Sequence, residues 1–361
     1  MEYHVISKRG EDAFPRLEVG VGVSSPSSRH LAHTQIDKQR LAVSRERCRV
    51  PDHVLSDRSM RRSAGSAHAG ERGVTLIGPG RLGQALGRLL AGAGVPIRFV
   101  VARRLSAARR AVRFIGRGRS VSLGELGIRE LAHSPVILLT VADSAIAEIA
   151  AALDRLTRRH GPGTAALDWS ARIVLHTCGS LPAAGPTSVL APLKRRGAAV
   201  GSLHPFQTIP SPASGFTNLV GCYWGIEGDA GALKVARKWI GLLDGTAFPV
   251  QPGQKTLYHA SAFLVSPTLV TLMDGSEQLL ARAGVPRKIA RPMLGQFVSE
   301  TVKNFVEVGG KGALTGPASR GDWSTINRHR AALRRVSPDL LPAYEALLRL
   351  MLRLSGRQKQ N

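Results

Sequence analysis

The run Val74-Thr-Leu-Ile-Gly78-Pro79-Gly80-Arg81-Leu82-Gly83-Gln-Ala-Leu-Gly87, followed by Pro96-Ile-Arg-Phe-Val-Val-Ala-Arg103-Arg104, decides the fold. A short apolar segment ends in G-x-G-x-x-G, a helical pattern follows, and a second apolar segment ends in two arginines. This order predicts a strand–turn–helix–strand unit of the kind that seats a dinucleotide pyrophosphate on a helix N-terminus. Gly78 is expected to turn the chain out of the strand. Gly80 lets the backbone approach the pyrophosphate with no Cβ in the way, and Gly83 allows close packing of helix on strand. With Pro79, Arg81 and Leu82 these glycines form the expected phosphate loop, whose unpaired N–H groups face the negative charge. In a chain with 39 glycines the bare spacing arises by chance, so the flanks matter. Val74 to Ile77 reads as a buried parallel strand, and Gln84 to Leu90 has the apolar spacing of a helix facing a sheet.

The end of the second strand bears on which dinucleotide is bound. A site selective for NAD places Asp or Glu about 20 residues past the glycines, on the ribose 2′-hydroxyl. Here Ala102-Arg103-Arg104 stands there with no acid nearby. An arginine fork suits a 2′-phosphate, and a charge-assisted bond of that kind contributes roughly 1.5–3 kcal/mol. The expected cofactor is therefore NADP(H). The bland reading is that these are two more arginines in an arginine-rich chain.

At 361 residues the chain can hold two domains and bury a substantial core. Its 43% hydrophobic content is ordinary, whereas a formal net charge of +25 is not. The arginines are spread along the whole length and are not gathered with aromatics into a nucleic-acid module. No specific nucleic-acid partner is expected, and no metal site. Cys48, Cys178 and Cys222 lie far apart and fit neither a disulfide framework nor a metal knuckle, which favours a reducing, cytoplasmic setting. No apolar run is expected to span a bilayer, and Met-Glu-Tyr-His-Val at the start lacks the order of a secretory signal.

Residues 1–72 are rich in Ser, Arg and His and sustain no apolar period. They are expected to be a disordered basic tail, or an over-long start with Met60 as the initiator. From Gly73 onward apolar runs alternate with helical segments. Strands are expected at 74–78, 97–102, 135–141, 172–177, 198–203, 221–226 and 247–250. Helices are expected at 81–93, 105–114, 144–159, 187–196 and 229–243. This is an α/β, doubly wound parallel sheet with helices on both faces, a Rossmann-type domain over 73–252. Beyond Gln251-Pro-Gly-Gln the helical pattern runs over 255–283, 287–308, 323–335 and 338–354. That predicts an all-helical domain over 253–355 and a short tail over 356–361.

Ligands of open α/β sheets sit off the carboxyl ends of the strands, so Thr140, Val141 and Ala142 are expected to border the cofactor. Asp143, next along, could border the cleft or cap the following helix. The fourth run ends in His176-Thr-Cys178-Gly-Ser180, where His176 could act as an acid or be a buried histidine bonded to backbone. Cys178 would need an activating neighbour to serve as a nucleophile. In Gly201-Ser-Leu-His204-Pro205-Phe-Gln-Thr208, His204 again falls at the cleft side. Arg320, in the glycine-rich Thr315-Gly-Pro-Ala-Ser-Arg320-Gly-Asp322, could hold a substrate carboxylate, while Asp322 caps the helix after it.

Taken together, IGPGRLG, LLTVAD, HTCGS, GSLHPFQT and ALTGPASRGDW resemble the Rossmann-like proteins that carry a DUF2520 domain. Those proteins are similar to pyrroline-5-carboxylate reductase, ketopantoate reductase and the F420-dependent NADP reductases. The resemblance covers about residues 73–350. It implies a Rossmann domain followed by a helical domain like that of 6-phosphogluconate dehydrogenase, which often serves as a dimerisation element; a homodimer is therefore expected. One departure is Tyr258-His-Ala-Ser-Ala-Phe-Leu-Val-Ser266-Pro267, where Ser-Asn would follow the family pattern.

The expected activity is NADP(H)-dependent reduction of a small, anionic carbonyl or imine. His176, Ser180, His204 and Arg320 are the candidate catalytic and substrate-holding residues. Two alternatives stay open: a ketopantoate-type 2-oxo acid reductase, and a dinucleotide-binding sensor or scaffold without turnover.

Overall fold

The computed structural model describes residues 73–158 and 167–357. The expectations for residues 1–72 and for 358–361 lie outside the described residues. Eight strands, β1 (Val74–Ile77), β2 (Ile97–Ala102), β3 (Arg119–Ser122), β4 (Val136–Leu139), β5 (Ile173–His176), β6 (Ala199–Pro205), β7 (Tyr223–Gly228) and β8 (Thr246–Pro249), make one sheet. Their order is β3-β2-β1-β4-β5-β6-β7-β8. Every neighbouring pair is parallel except β6 with β7. The first six strands thus have the 3-2-1-4-5-6 order of a dinucleotide-binding sheet, with a switch point between β1 and β4.

The central strands are fully buried along their length and read as continuous apolar runs, as strands covered on both faces must. Strand β3 was not legible in advance. It is Arg-Ser-Val-Ser, paired only with β2, and only Val121 of it is buried. Crossovers are supplied by α1 (Arg81–Gly92), α2 (Leu105–Ile115), α3 (Ile128–Ala132), α4 (Asp143–Arg158), α5 (Ala191–Lys194), α6 (Pro212–Asn218) and α7 (Ala230–Leu242). The helix expected over 187–196 shrinks to the single turn of α5. Unexpected α6 is started by Ser211, whose Oγ accepts from the Ser214 amide at 3.1 Å. It is held against α1, because the Arg88 guanidinium lies over the rings of both Phe114 and Phe216, at 5.1 and 4.8 Å. Under the sheet, Ile77, Val101, Leu139, Trp169, Val174 and Leu193 share one core cluster.

From Lys255 on every element is helical: α8 (Lys255–Val265), α9 (Pro267–Arg282), α10 (Arg287–Ala313), α11 (Pro317–Arg320), α12 (Trp323–Val336) and α13 (Leu341–Ser355). The single helix expected over 255–283 is broken at Ser266-Pro267, since proline has no N–H to continue the ladder. The long α10 bends at Gly309, whose φ of 71° leaves the helical region. Asp322 caps α12, its Oδ1 accepting from the Thr325 amide at 3.0 Å. The expectation that no run could span a bilayer needs correction. Pro252–Arg282 is long and apolar enough by composition, with a mean hydropathy of 1.2. It is nonetheless two helices, with Lys255 buried at one end and Glu277 paired to Arg287 and Arg291 near the other.

Candidate active site

Two adjoining cavities lie at the carboxyl ends of the parallel strands. The larger, about 630 Å³, runs over the β1–α1 turn to the end of β2 and is lined by Gly78, Pro79, Gly80, Arg103, Arg104 and the 140–142 segment. The second, about 420 Å³, is walled by Arg81, Leu82, Asp143, Cys178, His204 and His259, among others. Gly80, Thr140, Val141 and Ala142 line both, so the cavities share one wall.

The glycine loop is built as its spacing suggests. Gly78 has φ 87°, and a Cβ there would strike the Val141 backbone at 2.8 Å. Thr140 Oγ1 donates to Gly78 O at 2.7 Å and steadies the turn. Gly83 lines neither cavity but packs on β4, where a Cβ would overlap Thr140 Oγ1 and come within 3.0 Å of Gly78 O. At Gly80 a Cβ would meet no atom within 4 Å. No side chain caps the N-terminus of α1, and no acid stands in its first turn. An uncapped helix start behind a bare glycine, facing a cavity, fits a phosphate of a dinucleotide. Arg103 and Arg104 are exposed at the far end of that cavity.

The second cavity brings together groups far apart in sequence. Ser180 Oγ donates to Asp143 Oδ2 at 3.2 Å, so the Asp143 carboxylate on the cavity wall bridges to the loop after β5, although Ser180 itself lines neither cavity. His204 Nδ1 lies 2.8 Å from Tyr258 Oη, and the His204 and His259 rings stand 5.8 Å apart, centroid to centroid. Gly179 makes room for both: a Cβ there would come within 2.8 Å of His204 Nε2 and of His259 Cδ2. Burial, then the neighbouring His259 and Lys255 charges, pushes His204 down to about 4. Burial pushes the Tyr258 hydroxyl up to about 12.

His176 has to be corrected. It is fully buried, and its Nδ1 accepts the Cys178 amide at 3.1 Å. Burial, with the Lys255 and His204 charges, drives it down to about 3. It lines neither cavity and cannot act as an acid there. Nor does it activate Cys178, whose thiol sulfur accepts from the Ser180 and Leu181 amides and is pushed up by burial. Arg320, exposed on α11, lines neither cavity within one chain.

Behind the wall lies a buried network that no sequence motif announced. Lys255 Nζ donates to Ser202 Oγ at 2.6 Å and to Cys178 O at 2.9 Å. Glu227 accepts from Ser202 Oγ and from the Ala183 and Ala184 amides. Lys255 thereby fixes the 178–184 loop and the start of α8. The signal that could have exposed α8 is its spacing: Lys255, Tyr258 and His259 fall at i, i+3 and i+4, on one helix face.

Residues 222–351 match the family described as a domain of unknown function, DUF2520, and of the five motifs ALTGPASRGDW falls within that stretch. No curated protein matches the chain. Among solved structures, one similar fold is a Bacteroides fragilis protein provisionally named an NADP oxidoreductase. It is 22% identical, with 78% of this chain and 98% of that one covered at a TM-score of 0.60. Protein TM1727 from Thermotoga maritima is 19% identical, with coverages of 78% and 98% and a TM-score of 0.56. A Streptomyces aurantiacus imine reductase is 15% identical, with coverages of 78% and 94% and a TM-score of 0.51. The likeness is one of fold: a Rossmann-like sheet followed by a helical region.

Proposed function

We propose that the chain is an NADP(H)-dependent oxidoreductase that reduces a small, anionic carbonyl or imine. The observation that carries this reading is the shared wall. Gly80 and the Thr140–Ala142 segment face a cavity ending in two arginines on one side and a histidine-lined pocket on the other. Gly78, Pro79, Gly80, Arg81 and Leu82 would hold the pyrophosphate, with Arg103 and Arg104 on the 2′-phosphate. The Thr140–Ala142 backbone would then border the nicotinamide. When bound, the dinucleotide supplies the hydride. The protein's own contribution is to orient the acceptor and provide the proton. His204 presents a ring nitrogen to the pocket, and Ser180 is held by Asp143 at its side. The small second cavity limits substrate size, and Arg81 with the chain's net charge of +25 favours an anion.

The exposed apolar side chains support assembly as a homodimer. Among the described residues, all the large exposed hydrophobics except Tyr223 lie beyond residue 255, among them Phe263, Phe297, Phe305 and Val306. A face of that kind on a globular protein calls for a partner, and a second copy of the chain supplies one.

Calorimetry with NADPH and NADH tests the reading. Tight binding of NADPH with weaker binding of NADH is expected, and failure to bind either would overturn it. Nucleotide binding with no turnover of any carbonyl or imine would favour the sensor or scaffold reading.

A further inference from the structure

The pocket beside Gly179 holds several groups that could carry a proton, and the hydrogen bonds decide among them. Asp143 Oδ2 is taken up by the Ser180 hydroxyl, which also lies 3.2 Å from Cys178 Sγ. The Cys178 sulfur is occupied by two backbone amides. Lys255 is sealed behind the wall on Ser202, Cys178 O and Glu227. An arginine guanidinium, the group Arg81 offers, does not give up its proton in proteins.

Tyr258 and His204 act as a unit. The Tyr258 hydroxyl and His204 Nδ1 share a hydrogen bond at 2.8 Å, and the hydroxyl also reaches His204 O at 3.5 Å. The Nε2 edge of His204 faces Gly179 and His259. With Nδ1 tied to Tyr258 and the ring held neutral by burial, His204 orients and does not deliver.

One ring remains. His259, half-buried on α8, lines the second cavity and has no hydrogen-bond partner among the described residues. We infer that His259 is the proton donor of the reaction, with His204 and Tyr258 as the pair that positions the acceptor beside it. The inference rests on the oxidoreductase reading above. In the step, the acceptor carbon of C=O or C=N gains hydrogen and an electron pair from a reduced nicotinamide dinucleotide. The π pair moves to the oxygen or nitrogen, which takes a proton from the His259 ring, and the ring recovers that proton from solvent.

The test begins with wild-type protein and needs no substrate. Histidines are modified with diethylpyrocarbonate and mapped by mass spectrometry, with and without saturating NADPH. His259 is expected to react and to be protected by NADPH, while His176 stays unmodified. His259→Gln should bind NADPH with unchanged affinity. With whichever of pyruvate or 1-pyrroline-2-carboxylate the wild type reduces, it should lose about 100-fold in kcat at little change in KM. The fall in kcat toward high pH that a general acid imposes should vanish in this variant. A His259 that is unreactive or unprotected, or a variant with wild-type kcat and pH profile, overturns the assignment while leaving the oxidoreductase reading intact. Wild-type protein that binds no NADPH overturns that reading and this one with it.

Discussion

Lys255 and Glu227 form a buried ion pair where the sheet gives way to helices, Nζ 3.6 Å from Oε1, with side chains only 2% and 3% exposed. One belongs to the first turn of α8 and the other to β7, and both hold the loop that lines the second cavity. Removing either charge alone strands the other in a medium that solvates it poorly. Lys255→Met should cost about 3–5 kcal/mol, and Lys255→Met combined with Glu227→Leu less than the sum of the single changes. Urea unfolding of the four proteins measures this, and additive single effects would contradict it.

The buried histidines make stability depend on pH. His204 and His176 have folded-state values of about 4 and about 3, both below the ordinary 6.5 of the unfolded chain. The unfolded state therefore binds protons first as pH falls. Their contribution is fully present above about pH 6.5 and is lost as pH falls through the window down to about 4 for His204 and about 3 for His176. Urea midpoints measured from pH 7.5 to 4 should decline, and His204→Asn should flatten the decline.

Two glycines of one motif should respond in opposite ways. Gly80→Ala adds a methyl where no atom lies within 4 Å, so stability should stay within about 0.5 kcal/mol while NADPH affinity drops at least about tenfold. Gly83→Ala drives a methyl into Thr140 and should destabilise by roughly 1–3 kcal/mol. Thermal unfolding and calorimetry, run on both variants, separate the two effects.

Arg103 and Arg104, at the close of β2, line the first cavity, which Glu148 of α4 also lines. Replacing both with alanine should weaken NADPH binding by roughly ten- to a hundredfold, the worth of a charge-assisted bond, and leave NADH binding nearly unchanged. Equal loss for both nucleotides would mean that the arginines do not read the 2′-phosphate.

The apolar face of the helical half should hold two copies together. Phe297 and Val306, 73% and 76% exposed on α10, are the natural positions to break it. Phe297→Glu with Val306→Glu should convert a dimer to a monomer in sedimentation velocity. A wild type that sediments as a monomer would refute the assembly.

Much of the sheet was legible because its central strands are local, continuous apolar runs ended by glycine or proline. Strand β3 was not, because an edge strand with one buried residue carries almost no hydrophobic signal. The break at Ser266-Pro267 was readable in principle, but a run of apolar helix formers on either side masked it. His176 and His204 occupy similar places at strand ends, and sequence could not separate them. Their surroundings do: His176 is sealed inside the sheet, while Tyr258 and His259 come to His204 from a helix about 50 residues beyond it.

By itself the sequence determined the glycine loop, the central apolar strands with helices between them, and the pair of arginines at the end of β2. These depend on residues close together in the chain, where backbone freedom, apolar period and charge act locally. Only the tertiary structure decided which polar groups meet. It sank Lys255 onto Glu227, turned His176 inward and set His259 beside His204, because burial and hydrogen-bond partners depend on contacts across β5, β6, β7 and α8. Spacing along the chain does not encode those contacts.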